Sequence, residues 1–304
     1  FPKSKKRNFN LNFSMKKSSL FILIFILIIP SFIFARKINR LRFISLLNRH
    51  SYNKNYPKES YFSISFKNIV PCPEKSINVA YLGQSNHGNN IEREKNINSS
   101  YENVFTYDWR LGVCSKYKEP LAGPDGRAGG FGHVSSDTIY FLKKNYNFSE
   151  NIVFLGFSKG GTKAQDWASG TFANKFDFFL KNLKKDGVEI DYIFWHQGES
   201  EIKDANRAYY QKYINDIEFI FQKFLRTSKK TKIGMALVSV CNSETSKSLI
   251  NSQRSIIQNN NRVFFTLNTD NLGSSYRYDG CHFNSFGASV IGEKYAAFIN
   301  KFNK

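Results

Sequence analysis

Residues that bind metal ions are scarce in this sequence, which has only four cysteines and five histidines among its 304 residues. Their spacing does not match a zinc site, where cysteine and histidine ligands recur at short fixed intervals. We therefore predict no metal and no other cofactor, and we interpret His50, His87 and His133 as surface or turn residues. No internal repeat is visible either, which excludes solenoid and propeller folds.

Acidic residues are also scarce, because 24 Asp and Glu residues stand against 44 Lys and Arg residues, giving a formal net charge of +20. Such a charge is typical of proteins that bind nucleic acid. However, the first 70 positions contain 14 of the basic residues and a single acid, Glu59, so 13 of the 20 charges lie there. The remaining +7 is spread thinly, and no basic helix with interleaved aromatic residues stands out. Nucleic-acid binding is therefore not predicted.

A long apolar run extends from Leu20 to Ala35 and is interrupted only by Pro30 and Ser31. Basic residues precede and follow it, and a basic start, an apolar middle and a small final residue are the parts of a secretory signal. The run is short for a bilayer core about 30 Å thick. A cleaved signal and an uncleaved membrane anchor therefore both stay open, and both predict a catalytic domain outside the cytosol.

These features predict four consecutive regions. Residues 1–14, ahead of Met15, are interpreted as an unstructured extension that need not be native, and residues 15–35 as the signal or anchor. Residues 36–76 are rich in Asn, Ser, Lys and Tyr with few apolar residues, and are predicted to form a tether. Residues 77–304 are predicted to form one catalytic domain.

Beyond residue 77, short apolar runs alternate with longer amphipathic ones, which is typical of a parallel sheet covered by helices on both faces. Strands are predicted near 78–82, 152–155, 191–196, 232–240 and 263–267, and helices near 135–145, 171–185, 205–227, 246–259 and 285–301. Residues 86–134 are too long for an ordinary connection and are predicted to be a loop that shapes a pocket. Their glycine-rich part lacks the lysine of a P-loop, so nucleotide binding is not predicted.

Two short segments supply the residues of a serine nucleophile and its activation. Gly83-Gln84-Ser85-Asn86 directly follows the first predicted strand, at the edge of an α/β sheet where ligands bind. Near the far end, Asp279 and His282 lie three residues apart, so one turn can present both to a cleft. A serine hydroxyl needs a base, and that base needs an orienting partner. We therefore predict Ser85 as nucleophile, His282 as base and Asp279 as its partner.

Two further segments follow strand-like runs and can stabilise an oxyanion. One contains Gly160 and Gly161, followed by Thr162, and the other contains Gln197. An oxyanion needs preorganised donors such as backbone N–H groups of a glycine turn and a side-chain amide. The predicted donors are the N–H of Ser85, that of Gly160 or Gly161, and the amide of Gln197.

These four blocks resemble the SGNH (GDSL-like) hydrolases, in particular the branch of sialate O-acetylesterase and acetyl-xylan-type carbohydrate esterases. In that branch the blocks read Gly-Gln-Ser-Asn, Gly-Gly-Thr/Ser followed by a tryptophan, Trp-x-Gln-Gly-Glu and Asp-x-x-His. This chain matches them at 83–86, at 160–162 with Trp167, at 195–199, and at 279 and 282, within about residues 77–302. It departs from the pattern at Ala164, where the family tends to carry a larger aliphatic residue.

The resemblance implies a three-layer α/β/α, flavodoxin-like fold with a central parallel sheet of about five strands. It also implies a serine esterase that removes O-acetyl or other short acyl groups from an acylated carbohydrate through an acyl-enzyme. The residues expected to support the site are Gln84, Asn86, Thr162 and Glu199.

Alternatives to this interpretation stay open. Gly156-Phe157-Ser158-Lys159-Gly160 fits the G-x-S-x-G nucleophile elbow of an α/β-hydrolase, for which Asp270 is a more distant candidate acid. An acyltransferase could use the same acyl-enzyme with a sugar in place of water. A non-catalytic glycan-binding protein could also keep the scaffold, but the intact nucleophile, acid and base argue against it.

The tryptophans and cysteines have structural interpretations. Trp167 and Trp195 are expected in the core or the pocket wall, with stacking on a sugar as the less favoured role. Four cysteines in an exported chain predict disulfides, for which three pairings exist. Because Cys241 ends a strand-like run and Cys281 lies between the proposed acid and base, we expect these two to pair, leaving Cys72 and Cys114 as the second pair.

Overall fold

The computed structural model describes residues 17–55, 63–93, 101–126, 131–202 and 207–303, with side chains from residue 33 onward except at 207 and 208. The proposed extension at 1–14 and the start of the proposed signal or anchor lie outside the described residues. Contacts divide the chain into two units, 1–40 and 41–304. The helix α1 (Lys17–Asn55) contains the boundary between them.

The described elements follow the predicted alternation. The remaining helices are α2 (Ser135–Tyr146), α3 (Ala164–Ala168), α4 (Ala173–Lys185), α5 (Arg207–Leu225), α6 (Lys247–Gln258) and α7 (Ser285–Phe302). The strands are β1 (Ile69–Val70), β2 (Ile77–Gly83), β3 (Ile91–Glu92), β4 (Val104–Asp108), β5 (Val113–Lys116), β6 (Phe131–Gly132), β7 (Ile152–Ser158), β8 (Tyr192–His196), β9 (Lys232–Leu237) and β10 (Val263–Asn268).

In the described part of the chain, the main sheet has eight strands in the order β1-β5-β4-β7-β2-β8-β9-β10. The strands from β4 to β10 in this order run parallel, and β5 and β1 add an antiparallel edge. The predicted α/β class is confirmed, and all five predicted strands are present. The sheet is larger than expected, because β1, β4 and β5 extend it on one side.

The prediction of one long pocket loop at 86–134 is wrong in its middle part. Val104–Asp108 and Val113–Lys116 form an antiparallel hairpin that joins the main sheet beside β7. These short segments are rich in β-branched and aromatic residues, a composition that favours strands. The two short strands β3 and β6 form a separate antiparallel pair within the same segment.

Part of the segment that was expected to be a tether is folded. Tyr52 is fully buried against Trp109, and Asn48 donates a hydrogen bond of 2.8 Å to the carbonyl of Leu111. Farther along, Ile69–Val70 pairs with β5. Residues 41–55 and 63–76 therefore belong to the body of the larger unit.

No helix among the described residues is long and apolar enough to cross a membrane. Most of the run from Leu20 to Ala35 lies outside the residues whose side chains are described.

The core lies on both faces of the sheet, as the alternation of side chains along a strand requires. On β2, Ala80 and Leu82 face a cluster that contains the three tryptophans and side chains of α4, α5 and α6. Val79 and Tyr81 face the opposite cluster, which includes side chains of α2 and α7. The result is three layers, and it leaves the strand ends free to carry the site.

Candidate active site

The ends of three parallel strands bring the sequence blocks to one edge of the sheet. Gly83 at the end of β2 pairs with Ser158 of β7 on one side and with His196 of β8 on the other. Gly83 has φ +130°, and a Cβ there would lie 2.0 Å from the carbonyl oxygen of His196. Only glycine is compatible with this packing and this backbone. The glycine therefore lets β2 turn sharply between its two neighbours.

Ser85 begins the short 3₁₀ turn that follows β2. The N–H of Gln84 donates 3.0 Å to the carbonyl of His196, and the N–H of Lys159 donates 3.0 Å to the carbonyl of Gly83. These bonds fix the start of the turn to both neighbouring strands. Gln84 and Asn86 are buried, whereas Ser85 is partly exposed. Of these three side chains, that of Ser85 is the most accessible to a substrate.

Asp279 and His282 form the acid–base pair that their spacing predicts. Asp279 Oδ2 lies 2.8 Å from His282 Nδ1, and Oδ1 accepts the backbone N–H groups of His282 at 2.7 Å and Cys281 at 3.1 Å. Because a carboxylate only accepts, Nδ1 carries the proton and Nε2 is left as the base. Burial acts to raise the pKa of Asp279, but the hydrogen bonds from His282 and Cys281 bring it below its usual value.

Asn86 links the nucleophile turn to the loop of the acid and base. Its Nδ2 donates to Glu199 Oε1 at 2.7 Å and to the carbonyl of Cys281 at 3.2 Å, and its Oδ1 accepts the N–H of Phe283 at 3.2 Å. The sequence analysis predicts only that Asn86 supports the site, and the structure adds this connection between the two loops. Burial raises the pKa of Glu199 and the bond from Asn86 opposes that rise.

The structure brings Ser85 and His282 to neighbouring loops without joining them directly. Within the described ranges, no hydrogen bond connects Ser85 Oγ with the imidazole of His282. Catalytic hydrogen bonds in free enzymes are often open and close only with substrate bound. The connection through Asn86 is the observed contact between the two loops.

Gly160 lies directly beside the nucleophile. A Cβ built on Gly160 would be 3.3 Å from Ser85 Cβ. Its N–H, one of the predicted oxyanion donors, donates 2.8 Å to Asp125 Oδ2. Gly161 has φ +73°, and Thr162 Oγ1 both donates to the carbonyl of Lys159 and accepts Trp167 Nε1–H. The glycine turn is thus in place, and Asp125 is a neighbour that the sequence analysis missed.

The contacts of Gln197 do not support the predicted role of its amide as an oxyanion donor. The side chain is fully buried, and Nε2 donates to the carbonyl of Thr162 at 3.3 Å and to Glu201 Oε1 at 2.7 Å. Both amide hydrogens are therefore used. Glu201 also accepts the N–H of Ala164 at 2.6 Å. Gln197 and Glu201 together tie the glycine turn to the end of β8.

Among the described residues, no histidine bonds to the competing serine, Ser158. Ser158 Oγ lies 3.4 Å from Asp125 Oδ1, and Ser158 is buried. The candidate acid Asp270 accepts bonds from the N–H and hydroxyl of Ser239 and from the N–H of Val240, so it orders that loop. His196 is fully buried, and burial lowers its pKa to about 3. These contacts do not assemble a nucleophile, base and acid around Ser158.

Two of the histidines interpreted as surface or turn residues lie inside the protein. His87 is in the turn after Ser85 but is buried, with Nδ1 2.9 Å from the carbonyl of Leu82 and Nε2 2.8 Å from Tyr295 Oη. His133 is fully buried against Tyr81, and burial lowers its pKa to about 3. Only His50 is exposed as expected among these three. Both tryptophans of the motifs, Trp167 and Trp195, are fully buried core residues, which excludes stacking on a sugar in this conformation.

The loop of the acid and base is held from several sides. The predicted disulfides are confirmed, with Cys241 bonded to Cys281 and Cys72 bonded to Cys114. Beside the first of them, the N–H of Asn242 donates 3.1 Å to the carbonyl of Gly280.

Arg277 also holds this loop, and no signal in the sequence predicted its role. Its guanidinium donates to the carbonyls of Cys281, Leu272 and Thr269 and lies 4.3 Å from the ring centroid of Phe283. Burial lowers the pKa of Arg277, and nearby carboxylates oppose that shift. Three carbonyl acceptors on one guanidinium fix the backbone that carries His282.

Comparison with known proteins adds independent observations. A family model described as carbohydrate esterase, sialic acid-specific acetylesterase, matches residues 81–301. The fold is similar to that of an Arabidopsis thaliana protein of known crystal structure, with a TM-score of 0.57 and 16% identity over 75% of this chain and 100% of that one. A carbohydrate acetylesterase from Xanthomonas citri matches with a TM-score of 0.50 and 12% identity over 75% of this chain and 57% of that one. No curated protein matches the sequence.

Proposed function

The chain belongs to the carbohydrate esterase family described as sialic acid-specific acetylesterases, and we propose that Ser85, His282 and Asp279 perform its ester hydrolysis. It is a carboxylic ester hydrolase of the acetylesterase type. The observation that carries the proposal is the 2.8 Å contact between Asp279 and His282, whose loop Asn86 ties to the turn of Ser85. The proposed substrate is an O-acetylated carbohydrate.

In the first half of the reaction, Ser85 Oγ bonds to the acyl carbon while His282 Nε2 takes the hydroxyl proton. The bond from the acyl carbon to the sugar oxygen then breaks, and His282 gives its proton to that oxygen. In the second half, a water oxygen bonds to the acyl carbon and His282 takes a proton from the water. The bond to Ser85 breaks, the proton returns to Oγ, and acetic acid leaves and ionises. Asp279 holds the imidazolium that forms in each half.

The oxyanion is proposed to be received by backbone N–H groups. Gly160 lies beside Ser85 in the turn after β7, and the N–H of Ser85 belongs to the 3₁₀ turn after β2. Gln197, whose amide hydrogens are both used, is instead proposed to position the glycine turn through the carbonyl of Thr162. In the free enzyme Asp125 accepts the N–H of Gly160, and the oxyanion is proposed to take the place of this carboxylate.

Export is proposed from three features together. Two disulfides persist in oxidising compartments, carbohydrate esters are presented on extracellular glycans, and the apolar run from Leu20 to Ala35 resembles a signal or anchor. The catalytic domain is therefore proposed to act outside the cytosol, released or held at a membrane through residues 15–35.

The proposal is tested by comparing the two serines. We expect Ser85→Ala to abolish hydrolysis of p-nitrophenyl acetate and of acetylated glycans, because Asn86 ties the turn of Ser85 to the loop of the Asp279–His282 pair. Ser158→Ala should keep most of the activity. A fluorophosphonate label followed by peptide mapping should modify Ser85, and a label recovered on Ser158 would contradict the assignment.

A further inference from the structure

The carboxylate of Asp125 contacts the Gly160 N–H, the group that is proposed to bind the oxyanion. The N–H of Gly160 donates 2.8 Å to Asp125 Oδ2. A Cβ on Gly160 would lie 3.5 Å from this oxygen and 3.3 Å from Ser85 Cβ. The Asp125 carboxylate oxygen and Ser85 Cβ both lie close to the Cβ position of Gly160. The two atoms are therefore within about 7 Å of each other.

The backbone of Asp125 holds part of its loop independently of the side chain. The backbone does this, because the N–H of Asp125 donates to the carbonyl of Ser158 and its carbonyl accepts the N–H of Asn89 at 2.8 Å. Asn89 also forms a bridge with Gly126. The contact of the carboxylate with Gly160 is therefore additional to these backbone bonds.

Among the described residues, the cations near the Asp125 carboxylate are Lys159 and Lys175. Lys159 Nζ lies 3.8 Å from Oδ2 with 47% of its side chain exposed, so solvent screens this pair. Ser158 Oγ lies 3.4 Å from Oδ1, and Lys175 is a more distant cation. The N–H of Gly160 is the shortest hydrogen bond that the carboxylate accepts.

An N–H group that is free to bind the oxyanion can also bind other anions, and the reaction itself produces an anion. Hydrolysis of an acetyl ester releases acetate, a carboxylate that fits the same N–H groups as the oxyanion. A second carboxylate already on Gly160 competes with acetate for the donor and repels its charge. A neutral ester carbonyl experiences the competition but no repulsion between full charges.

Resting on the proposed function, we propose that Asp125 is a specificity-determining residue that occupies the Gly160 N–H in the free enzyme and disfavours carboxylate ligands there. The oxyanion that forms on a neutral acyl ester must displace the carboxylate of Asp125 from this donor, and an acyl group with its own carboxylate adds a further charge beside Asp125. The effect of Asp125 is weak inhibition by acetate and poor turnover of esters whose acyl group carries its own carboxylate, such as succinyl esters.

The test uses the full chain with two substitutions at this position and one control. Asp125→Ala removes the acceptor and the charge, whereas Asp125→Asn removes the charge but keeps a carbonyl that can accept from Gly160. Asp177→Ala removes an exposed carboxylate paired with Lys223 and so changes the net charge equally. Acetate affinity is measured by titration calorimetry, and kcat/KM is measured with p-nitrophenyl acetate and a p-nitrophenyl succinate monoester.

Asp125→Ala should bind acetate about tenfold more tightly than the unchanged protein, the size expected for losing one competing charged acceptor. It should also raise the succinyl-to-acetyl ratio of kcat/KM. For Asp125→Asn, the acetate affinity and the succinyl-to-acetyl ratio should lie between those of Asp125→Ala and those of the unchanged protein. For Asp177→Ala, both quantities should equal those of the unchanged protein. Thermal unfolding shows whether Asp125→Ala is folded. If it is not, the inference is tested by whether Asp125→Asn binds acetate more tightly than the unchanged protein.

Unchanged acetate affinity and an unchanged succinyl-to-acetyl ratio in an active variant would overturn this inference and leave the proposed function intact. A folded protein without any esterase activity would overturn the proposed function. Acetate binding is measured without turnover, so the two failures are distinguishable.

Discussion

Asn86 is the residue beside Ser85 that connects the nucleophile turn to the loop of the acid and base. Three hydrogen bonds join it to Glu199, Cys281 and Phe283, which lie on two separate loops. A residue in this position sets the distance between nucleophile and base without reacting itself. Its neighbour Asn90 also contacts the turn, donating 2.8 Å to the carbonyl of Ser85, but it does not bond the loop of His282.

Asn86→Ala should therefore lower kcat by roughly 100-fold, the loss expected when a reacting group is displaced by about 1 Å. The free energy of unfolding should fall by about 1–3 kcal/mol, because Glu199 loses a buried hydrogen bond. Steady-state kinetics and chemical unfolding measure the two effects. Asn90→Ala is the matched control. An equal loss of kcat in that variant would show that kcat depends on the order of the Ser85 turn and not on the connection from Asn86 to the loop of His282.

At the scale of elements, two 3₁₀ turns (Thr269–Asn271 and Ser274–Tyr276) precede the loop of the acid and base, which contains an isolated bridge between Arg277 and Phe283. The position of this loop depends on the Cys241–Cys281 disulfide, on Arg277 and on the bond from Asn242 to Gly280. All three attach it to backbone that follows β9 or β10. The edge of the sheet opposite β10 has the other disulfide, which joins Cys72 to Cys114 in β5.

The two disulfides allow a matched comparison, because their sequence separations are 40 and 42 residues. Replacing either pair by serine should cost about 2–4 kcal/mol of stability by removing a constraint on the unfolded chain. Only the Cys241→Ser/Cys281→Ser protein should also lose kcat, and by more than it loses fluorophosphonate labelling of Ser85. Kinetics at a temperature where both variants stay folded measures this, and an equal kcat in both would argue against a role of the bridge in positioning His282.

At the scale of the whole molecule, the larger unit begins at Leu41, well before the first residue of the matched family region at 81. The helix that ends at Asn55 contributes Tyr52 to the core, and β1 completes the edge of the sheet. The folded body is thus longer at its start than the four motifs require.

Deleting residues 1–40 should leave a folded, active protein, whereas deleting residues 1–70 should destabilise it. The longer deletion removes the fully buried Tyr52, and loss of one buried aromatic side chain typically costs roughly 3–5 kcal/mol. Thermal unfolding and p-nitrophenyl acetate hydrolysis distinguish the two. Equal melting temperatures would show that residues 41–70 do not contribute to the fold.

The same deletion tests the location. The full chain should fractionate outside the cytosol or with membranes, and the protein without residues 1–40 should stay inside the cell. Recovery of the full chain from the cytosol with residues 1–40 intact would contradict export.

The sequence by itself determined the parts of this protein that depend on local pattern. Alternating apolar runs predicted the five central strands, Asp279 and His282 were identified by their spacing, and the pairing of Cys241 with Cys281 followed from the strand ends that precede them. Each of these depends on residues close together in the chain or on the rule that parallel strands end at one edge. The hairpin of β4 and β5 was missed because its strands are short and lie in a segment rich in turn residues.

Only the tertiary structure decided which groups face one another across that edge. The bond of Gln197 to Thr162, the three bonds of Asn86 and the carboxylate of Asp125 on Gly160 all join residues far apart in sequence. No periodicity or spacing encodes such contacts, since they depend on how separate loops pack. The residue types of the site are thus readable from the sequence, while the direction of each donor is a property of the folded edge.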